Sequence, residues 1–189
     1  MDLNGALFEA INQSAGHVPL VDDVMKFVAQ YGIYAVALIA VASWFSRGGT
    51  AADHRIAVYT ALAATALALA VTLAIQHAYV HQRPFVVRTD VVQLVDHSPD
   101  ASFPSEHATA AFALAAGIGL YRWRLGAALL VLAAWMAVAR VYVGIHYPGD
   151  VAGGALIGVL AAVAFWWAQP LLAWLDRTVV LRLVPEALR

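Results

Sequence analysis

The sequence predicts an all-α fold, a polytopic membrane bundle of about five transmembrane helices with an amphipathic helix at its N-terminus, and three observations predict it. Of the 189 residues, 62% are hydrophobic and 12% charged; with a mean hydropathy of +0.74, the chain is too apolar to be covered by water alone. Five apolar segments reach or approach the roughly 20 helical residues that a hydrocarbon core requires. The basic residues divide unequally between the two sides that these segments define.

Taken in order, Leu3, Leu7, Phe8 and Ile11 recur at near-helical spacing. Residues 3–14 are therefore expected to form an interfacial helix too short to cross a bilayer. Spans follow at about 27–45, 56–75, 104–121, 125–143 and 151–169. No internal repeat or low-complexity tract divides the chain, so one membrane-embedded domain over 1–189 is expected. The first twenty residues lack a basic stretch followed by a long apolar core, and no cleaved signal peptide is expected.

If 46–55, 121–125 and the C-terminus share a side, that side collects Arg47, Arg55, Arg122, Arg124, Arg177, Arg182 and Arg189, against Lys26, Arg83, Arg88 and Arg140 on the other. The positive-inside rule makes the first side cytoplasmic, with the N-terminus, the 78–103 loop and the 143–150 turn facing outward. Trp44, Trp123, Trp166, Trp167 and Trp174 fall toward the inner interface, where an aromatic belt belongs. A net charge of −1 without a basic cluster gives no footprint for nucleic acid. Cysteine is absent, which removes disulfides and thiolate metal sites.

Three helix ends then meet on the outer rim. The second span runs out through QHAYVHQRPF, the third begins FPSEHATAAF, and the fourth leaves through ARVYVGIHYPGD into the fifth. Each polar residue has an ordinary structural reading: Arg140 and Arg83 as interfacial anchors, Asp150 as a helix N-cap, His107 as a rim residue. Their coincidence on one rim favours a shared site for an anion that undergoes chemistry. Arg83 and Arg140 can each hold two oxygens of a phosphate-like group. The third helix starts at Pro104-Ser105, so the N–H groups of Ser105, Glu106 and His107 are expected to point outward, unpaired, toward that anion. Pro148 and Gly149 are expected to break any helix and leave His146 and Asp150 in a turn. There the carboxylate accepts from Nδ1–H and leaves Nε2 as a nucleophile. His107 is then the expected general acid.

These stretches resemble the three signatures of the integral-membrane branch of the type-2 phosphatidic acid phosphatase superfamily, K-x6-R-P, P-S-G-H and S-R-x5-H-x3-D. Here they read Gln76-x6-Arg83-Pro84, Pro104-Ser105-Glu106-His107 and Ala139-Arg140-x5-His146-x3-Asp150, over roughly residues 56–170. The resemblance implies phosphate transfer through a phospho-histidine at His146 without a required cofactor or metal. His107 protonates the leaving group, Asp150 orients His146, and Arg83, Arg140 and Ser105 bind phosphoryl oxygens. Gln76 replaces the pattern's lysine, Ala139 its serine and Glu106 its glycine. Gln76 and Glu106 remain candidate substrate contacts, and a divalent cation at Glu106 is left open. An acid in that slot, in SFPSEHAT, looks like the bacitracin-resistance type of undecaprenyl-diphosphate phosphatase. The implied setting is a bacterial plasma membrane with an outward active site and a cytoplasmic C-terminus, and the implied partner is a polyprenyl or acyl lipid phosphate.

Hydrolysis of phosphatidylglycerol phosphate or phosphatidate is the near alternative, and an anion or lipid transporter the rival from another class. A transporter predicts polar groups spread through the membrane's depth. His77 and His81 are four apart on one face near the end of the second helix, which is zinc-ligand spacing, but no third ligand is evident, so no metal site is expected and the two read as histidines of the interface or in support of the site. His17, His54 and His97 read as surface residues. Gly154-x3-Gly158 marks either a homodimer seam or packing inside the bundle. Val91, Val92, Leu94 and Val95 suggest a loop, 85–103, that lies on the leaflet and gates lipid entry.

Overall fold

The computed structural model describes residues 2–45, 51–176 and 178. All regular elements among them are helical: α1 (Leu3–Asn12), α2 (Pro19–Ala42, continued by a 3-10 turn over Ser43–Phe45), α3 (Ala51–Ala78), α4 (Pro84–Val87), α5 (Glu106–Gly119), α6 (Trp123–Tyr142), α7 (Pro148–Trp167) and α8 (Gln169–Leu175). Among the described residues, four segments are long and apolar enough to cross a membrane: Pro19–Phe45, His54–Ala78, Trp123–Tyr142 and Pro148–Trp167. The fifth expected span, α5, has only 14 residues. At 1.5 Å per residue it is about 21 Å long, short of a hydrocarbon core of about 30 Å.

That short helix is the centre of the bundle. It packs against α2, α3, α6 and α7, and the small residues along it let the neighbours approach closely. A Cβ on Gly117 would lie 2.5 Å from the Ala61 Cα, and Gly119 and Gly126 meet backbone to backbone. On α7, a Cβ on Gly154 would lie 2.6 Å from the Ser105 carbonyl oxygen and one on Gly158 2.5 Å from that of Thr109. The Gly154-x3-Gly158 stripe is thus filled by α5 of the same chain and is not a free dimer seam. Buried alanines, among them Ala57, Ala61, Ala111, Ala115 and Ala133, dominate the core. Large apolar side chains such as Leu38, Leu62, Val131, Leu156 and Leu160 point outward, the distribution expected where lipid is the solvent.

Helix starts follow local chemistry. Asp2 caps α1 by accepting from the Gly5 N–H at 2.8 Å, and Ser105 caps α5. Two starts differ from expectation. Helix α2 begins at Pro19 instead of about 27: Pro19 occupies its first turn, and the polar residues that interrupted the apolar pattern are accommodated, Asp22 by the Gly16 N–H and the Tyr142 hydroxyl, Asp23 by Lys26. Helix α7 begins at Pro148 instead of 151. Proline at a first helical position gives up an N–H that has no intrahelical partner anyway, so Pro-Gly opens this helix and does not break it.

The two ends of the bundle differ in content. One end carries α1, the 79–105 stretch and the 143–147 turn. The other carries a bidentate Arg55–Asp176 ion pair, at 2.9 Å for both contacts, joined by the Tyr59 hydroxyl at 3.0 Å. Trp44, Trp123, Trp166, Trp167 and Trp174 belong to elements at this second end. His54 is buried there and is not a surface residue. Arg47, Arg177, Arg182 and Arg189, which weighed in the expected orientation, lie outside the described residues.

Candidate active site

The stretches expected to converge do converge, and backbone hydrogen bonds tie them together. The Ser102 N–H donates to the His81 carbonyl at 2.7 Å, the Ser105 N–H to the Asp150 carbonyl at 3.0 Å, and the Leu94 N–H to the Val143 carbonyl at 3.1 Å. Between α6 and His146 the chain turns through Gly144 at φ +85°, in the left-handed region, where a Cβ would lie 2.7 Å from the Val92 carbonyl oxygen. Only glycine fits that corner without strain. The corner swings His146 back under α6.

His146 is fully buried. Its Nε2 faces two guanidiniums, Arg83 Nη1 at 3.1 Å and Arg140 Nη2 at 3.4 Å. Arginine only donates, so Nε2 must present its lone pair. The ring proton then sits on Nδ1, which faces Ser102 Oγ at 3.4 Å and Asp150 Oδ2 at 3.5 Å. Ser102 donates its own proton to Asp150 Oδ2 and so joins the imidazole to the carboxylate. Asp150 is the third residue of α7, and its Oδ2 also accepts from the Tyr147 N–H at 2.7 Å. Its Oδ1 receives His81 Nδ1 at 3.3 Å. The His146–Asp150 relation therefore runs from a turn into a helix start instead of lying within one turn. Burial, helped by the charges of Arg140 and Arg83 and opposed by hydrogen bonding to Asp150, pushes the His146 pKa down to about 3. The imidazole is neutral at physiological pH.

The two arginines are held differently. Arg83 donates through Nε to Asp100 at 2.7 Å and also reaches the carbonyls of Ile145 at 2.9 Å and Ala101 at 3.3 Å. Arg140 donates to the Ala29 carbonyl at 3.1 Å and otherwise faces two imidazoles, His146 and His97, each at 3.4 Å. Its Nε is buried without a hydrogen-bond partner, and among the described residues no carboxylate pairs with it. Buried cations are ordinarily matched, and one left unmatched points to an anion that arrives from outside.

Arg83, His97, Asp100, Glu106, His107, Arg140 and His146 line one cavity of about 50 Å³. Glu106 is exposed at its rim and His107 half-buried. Ser105 lies beneath: its N–H is taken by Asp150 and is not available to an anion, while its Oγ caps the Ala108 N–H. The N–H groups of Glu106 and His107 remain at the free start of α5, which favours negative charge there. Gln76 donates to the Pro104 carbonyl at 3.0 Å; it braces the start of the α5 segment and is not among the described residues lining the cavity. His77 and His81 do not share a helix face, because α3 ends at Ala78. No group of three or more metal-ligating side chains occurs among the described residues.

Ser102 and His97 belong to this cluster without having been expected in it, and His81, read as a histidine of the interface or in support of the site, joins it through Asp150. The outer loop behaves differently from expectation too. Val95 is buried, and Val91, Val92 and Leu94 pack against the core clusters, so these side chains face protein and not the leaflet. Asn12 of α1 fixes the loop. Its amide donates to the carbonyls of Val92 at 2.9 Å and Tyr142 at 2.8 Å and accepts from the Val92 N–H at 2.9 Å. An isolated asparagine carries no signal of such a role in the sequence; the only hint was its position at the end of an amphipathic helix.

The chain as a whole is similar to known proteins. The PAP2 superfamily model matches residues 57–174. The chain is 32% identical to the undecaprenyl-diphosphatase BcrC of Bacillus subtilis over 90% of its own length and 86% of that protein. It is 32% identical to a Bacillus licheniformis protein named bacitracin transport permease protein BcrC, over 98% of its length and 93% of the relative. Among solved structures, the crystal structure of Aquifex aeolicus LpxE superposes with a TM-score of 0.71 at 26% identity, covering 87% of this chain and 94% of that one.

Proposed function

This chain belongs to the PAP2 superfamily, and on that premise we propose that it hydrolyses a membrane-anchored polyprenyl diphosphate, with undecaprenyl diphosphate, the substrate in its Bacillus subtilis relative's name, as the leading candidate. The reaction recycles a lipid carrier of cell-wall synthesis, and its increase would confer bacitracin resistance. The observation that carries this reading is the double guanidinium contact on a buried, neutral Nε2. An incoming phosphate takes over those donors, which frees the lone pair at the moment an electrophilic phosphorus arrives beside it.

In the proposed mechanism His146 Nε2 attacks the terminal phosphorus, forming the N–P bond as the bond to the bridging oxygen breaks. His107, which burial and the nearby guanidiniums hold neutral in the free protein, takes up a proton as the phosphate dianion enters and gives it to that leaving oxygen. Ser102 and Asp150 stabilise the positive charge that develops on the His146 ring. Arg83, Arg140 and the start of α5 hold the phosphoryl oxygens. A water molecule then gives a proton to His107 and attacks phosphorus, releasing inorganic phosphate and restoring His146. In this reading Ser105 and Gln76 act by bracing α5 and the loop before it, and Glu106 stands at the mouth beside the leaving half of the diphosphate.

We further read the chain as a protein of the bacterial plasma membrane with the site outward. Support comes from the fate of the basic residues: at the site end Arg83 and Arg140 are buried in the cavity, and Arg88 and Lys26 are paired with neighbouring carboxylates, so few loop cations oppose the positive-inside preference.

A transport reading, which the Bacillus licheniformis name suggests, lacks a polar path. Among the described residues the charged groups of the spanning helices sit near their ends, and the polar side chains at mid-depth are uncharged and scattered, among them Gln30 and Tyr34 on α2 and Thr65 on α3, the last bonded to the Ala61 carbonyl. The test is phosphate release by reconstituted protein from undecaprenyl diphosphate, phosphatidylglycerol phosphate and phosphatidate side by side, with and without a chelator. Undecaprenyl diphosphate is expected to be the fastest, with no change on chelation. His146→Ala should lose at least about 10³-fold in rate; a His146→Ala variant as active as the parent refutes the mechanism, and transport without phosphate release refutes the activity.

A further inference from the structure

His97 lies outside the three signature segments, yet the outer loop delivers it into the catalytic cavity beside His146, their rings 6.4 Å apart at near-perpendicular planes. Its place is built. The loop is pinned upstream by Asn12 on Val92 and by the Leu94 to Val143 hydrogen bond, and downstream by Asp100 on Arg83. His97 Nδ1 lies 3.1 Å from the Ser98 carbonyl. A carbonyl only accepts, so the ring proton is on Nδ1 and Nε2 presents a lone pair toward the cavity, 3.4 Å from Arg140 Nη2.

That arrangement has two consequences once an anion enters. A bare lone pair facing phosphate oxygen is repulsive, whereas a protonated Nε2 donates a charge-assisted hydrogen bond. Around the ring stand Arg83, Arg140, His107 and His146 from the neighbouring elements, Glu106 at the rim, and Asp100 from the loop itself, 3.9 Å from Nδ1. Among these groups, burial and the two guanidiniums hold the His97 pKa below its ordinary value. A phosphate dianion placed there reverses the sign of the local field and favours the imidazolium. The cavity also lacks a cation at the first signature position, where the Gln76 amide is engaged by the Pro104 carbonyl.

We propose that His97 is a phosphate-binding residue of this site: as the head group enters, Nε2 takes one proton from the outer aqueous phase and donates it as a hydrogen bond to a non-bridging phosphoryl oxygen. It supplies from the outer loop a cationic donor in place of the missing lysine, and it makes phosphate binding proton-linked. The proposal rests on the phosphatase reading for its substrate, but not for its test.

The test measures binding of inorganic phosphate to the purified full chain in detergent, by ligand-dependent melting, from pH 5.5 to 8.5. Parent, His97→Ala, His97→Gln and His97→Asn are compared at each pH, so that the ionisation of phosphate itself cancels in the ratio. The parent should bind about tenfold more tightly than His97→Ala at pH 5.5, the size of one charge-assisted hydrogen bond, with the ratio falling toward one by pH 8.5. His97→Gln, which places a neutral donor near the Nε2 position, should recover part of the affinity with a ratio to His97→Ala that does not vary with pH. His97→Asn, which keeps the contact to Ser98, should retain the melting temperature of the free protein and bind like His97→Ala. A parent-to-Ala ratio independent of pH, or parent-like affinity in His97→Ala, overturns the proposal. Failure of the parent to release phosphate from any lipid overturns the phosphatase reading instead, and leaves the binding ratios to decide the role of His97.

Discussion

The two ends of this bundle bury arginine in opposite ways. At one end Arg55 meets Asp176 through two parallel contacts at 2.9 Å, with the Tyr59 hydroxyl as a further partner. At the other, Arg140 is equally buried but has one carbonyl, two imidazole lone pairs and an Nε with no partner. In the first, charge is matched by charge, and the pair fastens the end of α8 to α3. The second leaves one buried guanidinium without a paired carboxylate beside a small cavity, a state that stability alone does not favour. Matched charge marks structure here, and unmatched charge marks the place kept for a ligand.

Exchanging either arginine for methionine tests that contrast most severely. Arg140→Met should lower kcat/KM by about 10²–10³-fold while leaving the melting temperature unchanged or raised, because an uncompensated buried charge is removed. Arg55→Met should do the reverse: it takes the cation from Asp176 and costs about 3–5 kcal/mol in stability with kcat/KM for the surviving folded protein nearly unchanged. Equal losses of stability in both variants, read by melting and activity together, would break the comparison.

The pH dependence of stability sharpens it. Burial holds the His146 pKa near 3, against 6.5 for the ordinary imidazole. The unfolded chain therefore binds a proton that the folded site refuses. His146 contributes stability that is fully present above pH about 6.5 and is lost as pH falls toward about 3. Melting curves of the parent should accordingly steepen in their decline across that window, and those of His146→Gln should decline less. The smallest effect is expected at Asn12. Asn12→Ala removes three hydrogen bonds and leaves buried carbonyls of Val92 and Tyr142 unsatisfied, a loss of about 2 kcal/mol, and because those groups hold the Gly144 corner and the outer loop, kcat should fall severalfold. A melting shift without any change in kcat would show that α1 acts only on stability.

How much the sequence could disclose depends on the range of its signals. Arg83, His107, Arg140, His146 and Asp150 were legible because each stands at a fixed interval from a helix end, and a hydropathy pattern finds helix ends. Ser102, His97 and Asn12 were not, since contacts between residues 43 to 130 positions apart leave no periodicity behind. Pro148-Gly149 was misleading for a physical reason: the same dipeptide that stops a helix in its interior starts one when it falls at the first two positions. The early start of α2 was hidden by Asp22 and Asp23, whose partners, Gly16, Tyr142 and Lys26, make polar residues tolerable in a first turn. His54 and His97 looked like surface residues because a lone histidine has no pattern to belong to, and both lie within the protein.

The brevity of α5 bears on where hydrolysis takes place. A central post about 21 Å tall, standing among neighbours of 20 to 28 residues, need not cross the bilayer: its start is bonded to the first turn of α7 and the last turn of α3, so the charged cavity sits at the ends of those helices. A carrier with a very long hydrocarbon tail then need not be hoisted into the aqueous phase to be dephosphorylated. The protein instead holds a small, charged basin at its helix ends, the depth at which the lipid's head group already rests.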